Sequence, residues 1–436
     1  MSGQVKPLYR FGPFVLNAAD RLLWKGDRVV PLTPKSAEIL VLLLKRSGQL
    51  VEKSELLTEV WPDTFVDEAN LSRQIYELRK ALGDLQEQQY IKTIPRRGYR
   101  FAAELRKAQE YTDNIEAYHE YLRGRYHWNK RTEEGLAKGI RHFQQAIEID
   151  PAYALAYAGL GDCYLILGNM AIRHPHDSYP KAKAAAEKAI EIDEYLAEGY
   201  SCLAGVRLFY ERDRLRAEQN SRRAVELNPN YATGHHLRSF ILAAMGRMDD
   251  AIAEIKRAHQ IDPLSPMINT NLGTILYWAR QYERAIQQYQ ETLEMDPNFW
   301  PAHWMLGMAY VQTRTYKAAI SALSRACELV PDSLLPKAAL GYAYATSRAR
   351  SQALEVLREL RSEARRRYVG SYGIAKIYAE LGDEKHALDY FHKASAEHDP
   401  WSSLVDIDPD MDHFRSNPRY EDVVRTLGTP ARDEIG

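Results

Sequence analysis

Apolar residues along the first hundred positions recur with two different periods, and each change of period marks an element. Tyr9 to Phe11, Phe14 to Asn17, Arg21 to Trp24 and Arg28 to Leu32 are short β-prone runs separated by Gly12-Pro13, Ala18 to Asp20 and Gly26-Asp27. Such runs between turn residues predict a small antiparallel sheet. At Thr33 the period lengthens. Thr33 suits an N-cap and Pro34 a first helical position, so a helix begins there, carries the apolar run Ala37 to Leu44 and stops at Gly48. A second helix is expected from Lys53 to Val60, before Trp61-Pro62. Leu71, Ile75, Leu78 and Leu82 then fall at i, i+4, i+7 and i+11, one narrow apolar stripe on a helix from Glu68 to Gly83. The opposite face carries Arg73, Tyr76, Glu77 and Lys80, flanked by Asn70, Ser72 and Gln74. Tyr90 to Ile94 and Tyr99 to Ala102 return to the strand pattern around Arg96-Arg97-Gly98, a turn with two cations at its tip.

That polar face holds side chains long enough to reach base edges in a DNA major groove. An ordinary amphipathic helix with a solvated charged face is the plain alternative, and the neighbouring cationic hairpin is what favours DNA. The order four strands, helix, helix, loop, helix, hairpin resembles the winged-helix output domain of OmpR/PhoB-type response regulators over residues 7–105. Its most specific segments are TPKSAEILVLLL (33–44), LSRQIYELRKALGD (71–84) and TIPRRGYRF (93–101). The resemblance implies a recognition helix at 68–83, a wing at 90–102, and a loop facing RNA polymerase made of Trp61, Pro62, Asp63, Thr64, Phe65, Val66 and Asp67. It also implies double-stranded DNA as partner, contacted by Asn70, Ser72, Arg73, Gln74, Tyr76, Glu77 and Lys80 and, from the wing, by Lys92, Arg96 and Arg97. Many relatives have a basic residue where this chain has Glu77, so their base preference does not transfer; an acid there suits cytosine or makes no contact. Two copies per site, as a homodimer on direct repeats, is a further implication of the family.

Beyond the hairpin the pattern itself repeats. Pro229, Pro263, Pro297 and Pro331 stand 34 residues apart, behind RRAVELNP, KRAHQIDP, QETLEMDP and SRACELVP. Small residues recur in the same register: Ala217, Ala251, Ala285, Ala319 and Ala353 early in one expected helix, Leu272-Gly273, Leu306-Gly307 and Leu340-Gly341 in the middle of the other. This pattern resembles the tetratricopeptide repeat, which implies helical hairpins stacked into a solenoid. A weaker copy ends at Pro151, another pairs 157–164 with 186–193 across an insertion of about nine residues, and later copies reach residue 394. The expected organisation is therefore a winged helix over 1–105, a linker over 106–111 and about eight repeats over 112–399. From Pro400 the pattern changes, so 400–436 reads as a capping segment with one last helix near Arg419 to Leu427. The fold class expected is an α+β winged helix followed by an all-α superhelical array.

In such arrays the first helices of successive hairpins line a concave groove. Projecting the register places His236, Phe240, Asn271, Thr274, Tyr277, Trp278, Trp304, Met308, Gln312 and Tyr342 there. The set is aromatic and apolar with a few amides, and it lacks the Lys, Arg and Asn that clamp a terminal carboxylate in chaperone-binding members of the superfamily. A protein or peptide segment with apolar anchors is the expected ligand. A small apolar effector and self-association through the outer face are the alternatives.

Composition refines this division of labour. Residues 1–105 hold 16 Lys and Arg against 13 Asp and Glu, a net of +3, and the remainder 42 against 46, a net of −4. DNA binding must therefore rest on where the cations lie rather than on their number. No run approaches the roughly 18–20 apolar residues of a membrane span, and Met1 to Gly12 lacks a signal-peptide core. A cytoplasmic bacterial protein without membrane contact is expected. Upstream of Tyr9 there is no room for a phospho-receiver domain of about a hundred residues, which puts the input signal on the repeats. Cys163, Cys202 and Cys327 are too dispersed for a disulfide framework or a CxxC metal site. His174-Pro175-His176-Asp177, read as an exposed loop, and His235-His236 lack the i, i+4 spacing of helical zinc ligands. With no phosphate-binding glycine loop, G-x-S-x-G elbow or HExxH, neither an enzyme nor a cofactor is expected. The reading is a one-component transcription regulator whose repeats receive the signal. The alternative is a tetratricopeptide scaffold with a weak or vestigial DNA-binding module.

Overall fold

The computed structural model describes residues 8–18, 21–25, 28–62, 66–84, 90–103, 112, 114–412, 414, 418, 422–423 and 427. It divides into two compact units, Met1–Tyr118 and His119–Gly436. In the first unit, strands β1 (Leu8–Phe11), β2 (Phe14–Asn17), β3 (Leu22–Lys25) and β4 (Arg28–Val30) form an antiparallel meander in that order, as the β-prone runs predict. The first reversal pairs Phe11 with Phe14 through Gly12, whose φ of +52° favours glycine. A Cβ there would also lie 2.5 Å from the Tyr90 hydroxyl. Phe11 stacks on Phe14 at 5.5 Å and meets Phe101 edge-on at 4.9 Å, which ties the meander to the rest of the unit.

Helix α1 (Pro34–Lys45) starts where the capping signal places it, with the Thr33 hydroxyl accepting from the Ser36 amide. After it comes β5 (Leu50–Glu52), a strand the pattern did not predict, then α2 (Lys53–Val60), α3 (Glu68–Leu82), β6 (Ile91–Ile94) and β7 (Gly98–Phe101). The second sheet runs β5-β7-β6, with Val51 opposite Tyr99. Glycine is required at 98, because a Cβ there would sit 2.0 Å from the Val51 carbonyl oxygen. Gly98 therefore opens β7, and the turn is Pro95 to Arg97 rather than Arg96 to Gly98. The stripe Leu71, Ile75, Leu78 and Leu82 is buried in a core shared with Leu40, Leu43 and Leu56. Each such side chain contributes about 1.5–3 kcal/mol on burial.

From Ile115, four residues before the second unit begins, the chain is built from helical hairpins. Among the described residues eight pairs follow one another, from Ile115–Asn129 with Glu133–Ile149 to Ser371–Glu380 with Glu384–Ala396. The recurring small residues sit at helix contacts. Ala217, Ala251, Ala285, Ala319 and Ala353 are fully buried, and a Cβ on Gly273 or Gly307 would strike Tyr289 at 2.4 Å or Leu323 at 2.5 Å. Six intra-hairpin turns place a left-handed residue in the same register, at Arg212, Gly246, Arg280, Arg314, Arg348 and Gly382. The insertion in the second hairpin is not a loop. His174 caps the helix Pro175–Ile192, its Nδ1 accepting from the His176 amide, and His176 Nδ1 lies 2.9 Å from the Tyr210 hydroxyl.

Among the described residues, the chain after the last hairpin packs on the last helix, where Phe414 meets Phe391 at 5.7 Å, and also extends well beyond that end of the array. Two short 3-10 turns, Pro400–Leu404 and Pro409–Met411, run across the first helices of successive hairpins, and Leu404, Val405, Ile407 and Met411 are buried there. The Trp401 indole donates to the Asn169 carbonyl of the second hairpin at 2.9 Å, and Lys376 of the eighth donates to Asp410 at 2.5 Å. Between them Arg214 pairs with Asp406 at 2.9 Å and Arg280 donates to the Ile407 carbonyl at 2.8 Å. The expected helix at Arg419 to Leu427 falls largely outside the described residues. No described helix is long and apolar enough to cross a membrane.

Candidate nucleic-acid interface

Both ends of α3 are fixed. Asp67 accepts from the Asn70 amide as N-cap, Lys53 reaches Glu68 at 2.6 Å, and Gly83 ends the helix at φ +70°. The next residue, Asp84, is buried, and its carboxylate accepts from the Tyr90 and Ile91 amides at 2.9 and 3.0 Å. Arg79 then spans from α3 to the hairpin, donating to the Ile91 carbonyl at 2.7 Å and to the Thr93 hydroxyl at 2.8 Å. Helix and hairpin are thus set relative to each other by Asp84 and Arg79, two residues the sequence pattern did not single out. Arg79 lies on the flank of the helix, where periodicity alone gives no reason to distinguish it from a solvated cation.

Asn70, Ser72, Arg73, Tyr76, Glu77 and Lys80 are exposed, and Tyr76 keeps 54% of its surface open. The Ser72 hydroxyl donates back to the Glu68 carbonyl at 2.9 Å. Gln74 departs from the expected position. It is half-buried, with its side-chain oxygen accepting from the Thr33 and Ser36 hydroxyls at 2.9 Å each. Lying beside the apolar stripe, it turns toward the start of α1 and serves that cap, so it is not on the outward face.

On the hairpin, Lys92, Arg96 and Arg97 are exposed, and Arg96 holds the turn at φ +65°. Lys92 stands directly opposite Arg100 in the β6–β7 register, a like-charge pair that is unfavourable in isolation and suits a polyanion. Among the described residues, no carboxylate lies within ion-pair distance of Arg73, Lys80, Lys92, Arg96 or Arg97. Of the loop before α3, Asp63, Thr64 and Phe65 lie outside the described residues. Trp61 is half-buried against the core with Lys35 5.7 Å from its ring, Pro62 is exposed, Val66 half-buried, and Asp67 is committed to capping.

The expected groove residues divide into three sets. Tyr277 and Gln312 each donate to the Asp410 carboxylate at 2.7 Å, and Tyr342 to the Asp410 carbonyl at 3.4 Å. These three are therefore covered by the chain's own C-terminal segment rather than open to a peptide. Burial alone would lower the Lys376 pKa, but Asp408 and Asp410 raise it above its ordinary value, so this cation is held in place by the same segment. Trp278 and Met308 are core residues, 4% and 5% exposed. His236, Phe240, Asn271, Thr274 and Trp304 line a cavity, where the Asn271 amide donates to His236 Nε2 at 2.6 Å. No cluster of three His, Cys, Asp or Glu that could hold a metal occurs among the described residues.

Comparison with known proteins adds to this geometry. Residues 27–101 match the family described as "Transcriptional regulatory protein, C terminal", and residues 270–333 match the tetratricopeptide repeat family. The chain is 42% identical over 91 residues to the transcriptional regulator HilA of Salmonella typhimurium, which covers 21% of this chain and 16% of HilA. It is 31% identical over 97 residues to the transcriptional activator CadC of Escherichia coli, covering 22% of this chain and 19% of CadC. The match thus spans under a fifth of either relative's length. Among solved structures, the tetratricopeptide protein YrrB aligns at 20% identity over 44% of this chain and 95% of its own, with a TM-score of 0.29.

Proposed function

We propose that this chain, which joins an OmpR/PhoB-type transcriptional-regulator DNA-binding domain to tetratricopeptide repeats, is a sequence-specific regulator whose repeats receive the signal. Helix α3 enters the major groove with Arg73, Tyr76, Glu77, Lys80 and Asn70 toward base edges. Lys92, Arg96 and Arg97 bind phosphates or the adjacent minor groove and set the register. Trp61 to Asp67 faces RNA polymerase in this reading. The observation that carries it is the continuity of exposed cations, without carboxylate partners among the described residues, from α3 onto the hairpin that Arg79 and Asp84 hold beside it. HilA and CadC, both named as transcriptional regulators, support the reading for the first unit.

Fluorescence anisotropy of the 436-residue chain on duplex DNA tests it. Arg73→Ala is expected to relax discrimination at one base pair by about 1–3 kcal/mol, the worth of a bidentate base contact. Arg97→Ala is expected to weaken all duplexes alike and to reduce the salt dependence by about one ion. Uniform weakening from Arg73→Ala with altered base preference from Arg97→Ala would reverse the two roles, and no effect from either would remove the interface.

A further inference from the structure

The C-terminal segment does not fill the inner face of the second unit completely. A cavity of about 140 Å³ remains beside Trp401, close to the roughly 150 Å³ at which an engineered apolar cavity admits benzene. Its wall is mainly apolar and includes Trp128, Trp300, Trp304 and Trp401, four of the chain's seven tryptophans. Two of those indoles are satisfied by backbone carbonyls, Trp300 by Arg131 at 3.1 Å and Trp401 by Asn169 at 2.9 Å. Among the described residues, the Trp128 and Trp304 indole nitrogens have no acceptor, and neither has Nε of Arg131, which is 5% exposed. All three of these unpartnered wall atoms are N–H donors, so the missing complement is an acceptor.

The charge on the wall asks for the same complement. The Arg131 guanidinium lies 3.7 Å from the Trp128 ring centre, with no ion pair among the described residues. Arg125, at 4.1 Å from that ring, takes the nearby carboxylate of Asp162 at 3.3 Å. Asp162 is a weak counter-ion, because burial outweighs Arg125 and Arg131 and raises its pKa to about 6. His236 adds no charge, since burial pushes it down to about 3. Arg131 and Arg125 therefore both face a weakened Asp162, whose pKa the charge of Glu198 also raises.

We infer that this cavity binds a small monocarboxylate with a compact apolar or aromatic body, the body among the tryptophans and the carboxylate accepting from Arg131 and the free indole N–H groups. The inference deepens the reading of the second unit as the input, and rests on that reading for the consequence of binding though not for binding itself. Trp401 forms part of the wall, so occupancy bears directly on the segment that crosses the hairpins.

The test titrates full-length protein with phenylacetate and hexanoate and with their amides, phenylacetamide and hexanamide, following tryptophan fluorescence. The acids are expected to saturate, and to bind about tenfold or more tighter than the amides, as a charged hydrogen bond exceeds a neutral one. Arg131→Gln is expected to reduce the acids to the level of the amides, whereas Asp162→Asn, which removes the anion of the wall, is expected to tighten them. Opposite shifts separate ligand contact from loss of fold, which would weaken both. Equal binding of acid and amide, tighter binding of phenethylamine, or no saturation below about 1 mM would overturn the site. Repeating the titration with duplex DNA separates the two readings. An acid that binds without changing DNA affinity upholds the cavity and rejects the second unit as input.

Discussion

The outward face of α3 and the inner face of the helical array both follow from helical periodicity, yet they end in opposite states. Arg73, Tyr76, Glu77 and Lys80 stand exposed on a helix of 15 residues. Tyr277, Gln312 and Tyr342 instead bond to Asp410, which lies 133, 98 and 68 residues further along the chain. Periodicity says on which face a side chain lies. It does not say what covers that face, because the cover comes from a distant stretch whose own pattern is not periodic. For the first face the local reading suffices, and for the second the decisive partner is remote.

The strongest way to break this contrast is Asp410→Ala. Lys376, Tyr277 and Gln312 all donate to that buried carboxylate, and removing one partner of a buried ion pair costs about 3–5 kcal/mol. Denaturant unfolding followed by helical circular dichroism should show that loss while duplex affinity is unchanged. A loss below about 1 kcal/mol would mean that the segment lies loosely on an otherwise open groove. Comparable in size is Asp84→Ala, which removes two amide bonds to a charged acceptor, each worth about 1.5–3 kcal/mol. It should destabilise the first unit alone and reduce DNA affinity by loosening the hairpin against α3. Gln74→Ala sharpens the outward face itself. Its hydrogen bonds to Thr33 and Ser36 predict a loss of about 1 kcal/mol in stability with no change in base preference, and a change would return Gln74 to the reading face.

The smallest effects are in pH dependence, and they have opposite signs within the second unit. Folded Asp162 titrates near 6, against an ordinary value of 3.8. The folded chain therefore holds more protons in that window, and this contribution to stability is present at low pH and lost as pH rises through about 6. Folded His236 titrates near 3, against 6.5, so the unfolded chain holds more protons and stability is lost as pH falls from 6.5 toward 3. Melting temperatures from pH 7 to 4 should accordingly fall more steeply on acidification in Asp162→Asn and less steeply in His236→Gln. Parallel curves for both variants would show that neither group titrates away from its ordinary range.

Most of the fold was legible because its signals are local or periodic: the Thr33-Pro34 cap, the stripe Leu71 to Leu82, and alanines every 34 residues. β5 was not, since three residues between a turn and a helix carry no alternation of their own and are made a strand by pairing with β7. The insertion at His174 to Asp177 extends a helix because His174 can cap it, a role that its spacing from other histidines does not reveal. The residues expected on the inner face lie on the first helices of their hairpins, Ala232–Ala244, Pro266–Trp278, Trp300–Gln312 and Leu335–Thr346. That Tyr277 and Tyr342 meet Asp410 depends on a chain reversal after Asp399 that no repeat predicts.

Base reading by α3 is tested most directly by selection of bound fragments from a random duplex pool by the 436-residue chain at moderate salt, with the wild type and Arg73→Ala run side by side. A recovered motif is expected for the wild type, with loss of information at one position for the variant. Recovery of no motif from the wild type, with binding governed by salt alone, would contradict sequence reading by α3 and leave the chain a repeat scaffold with a nonspecific DNA-binding unit.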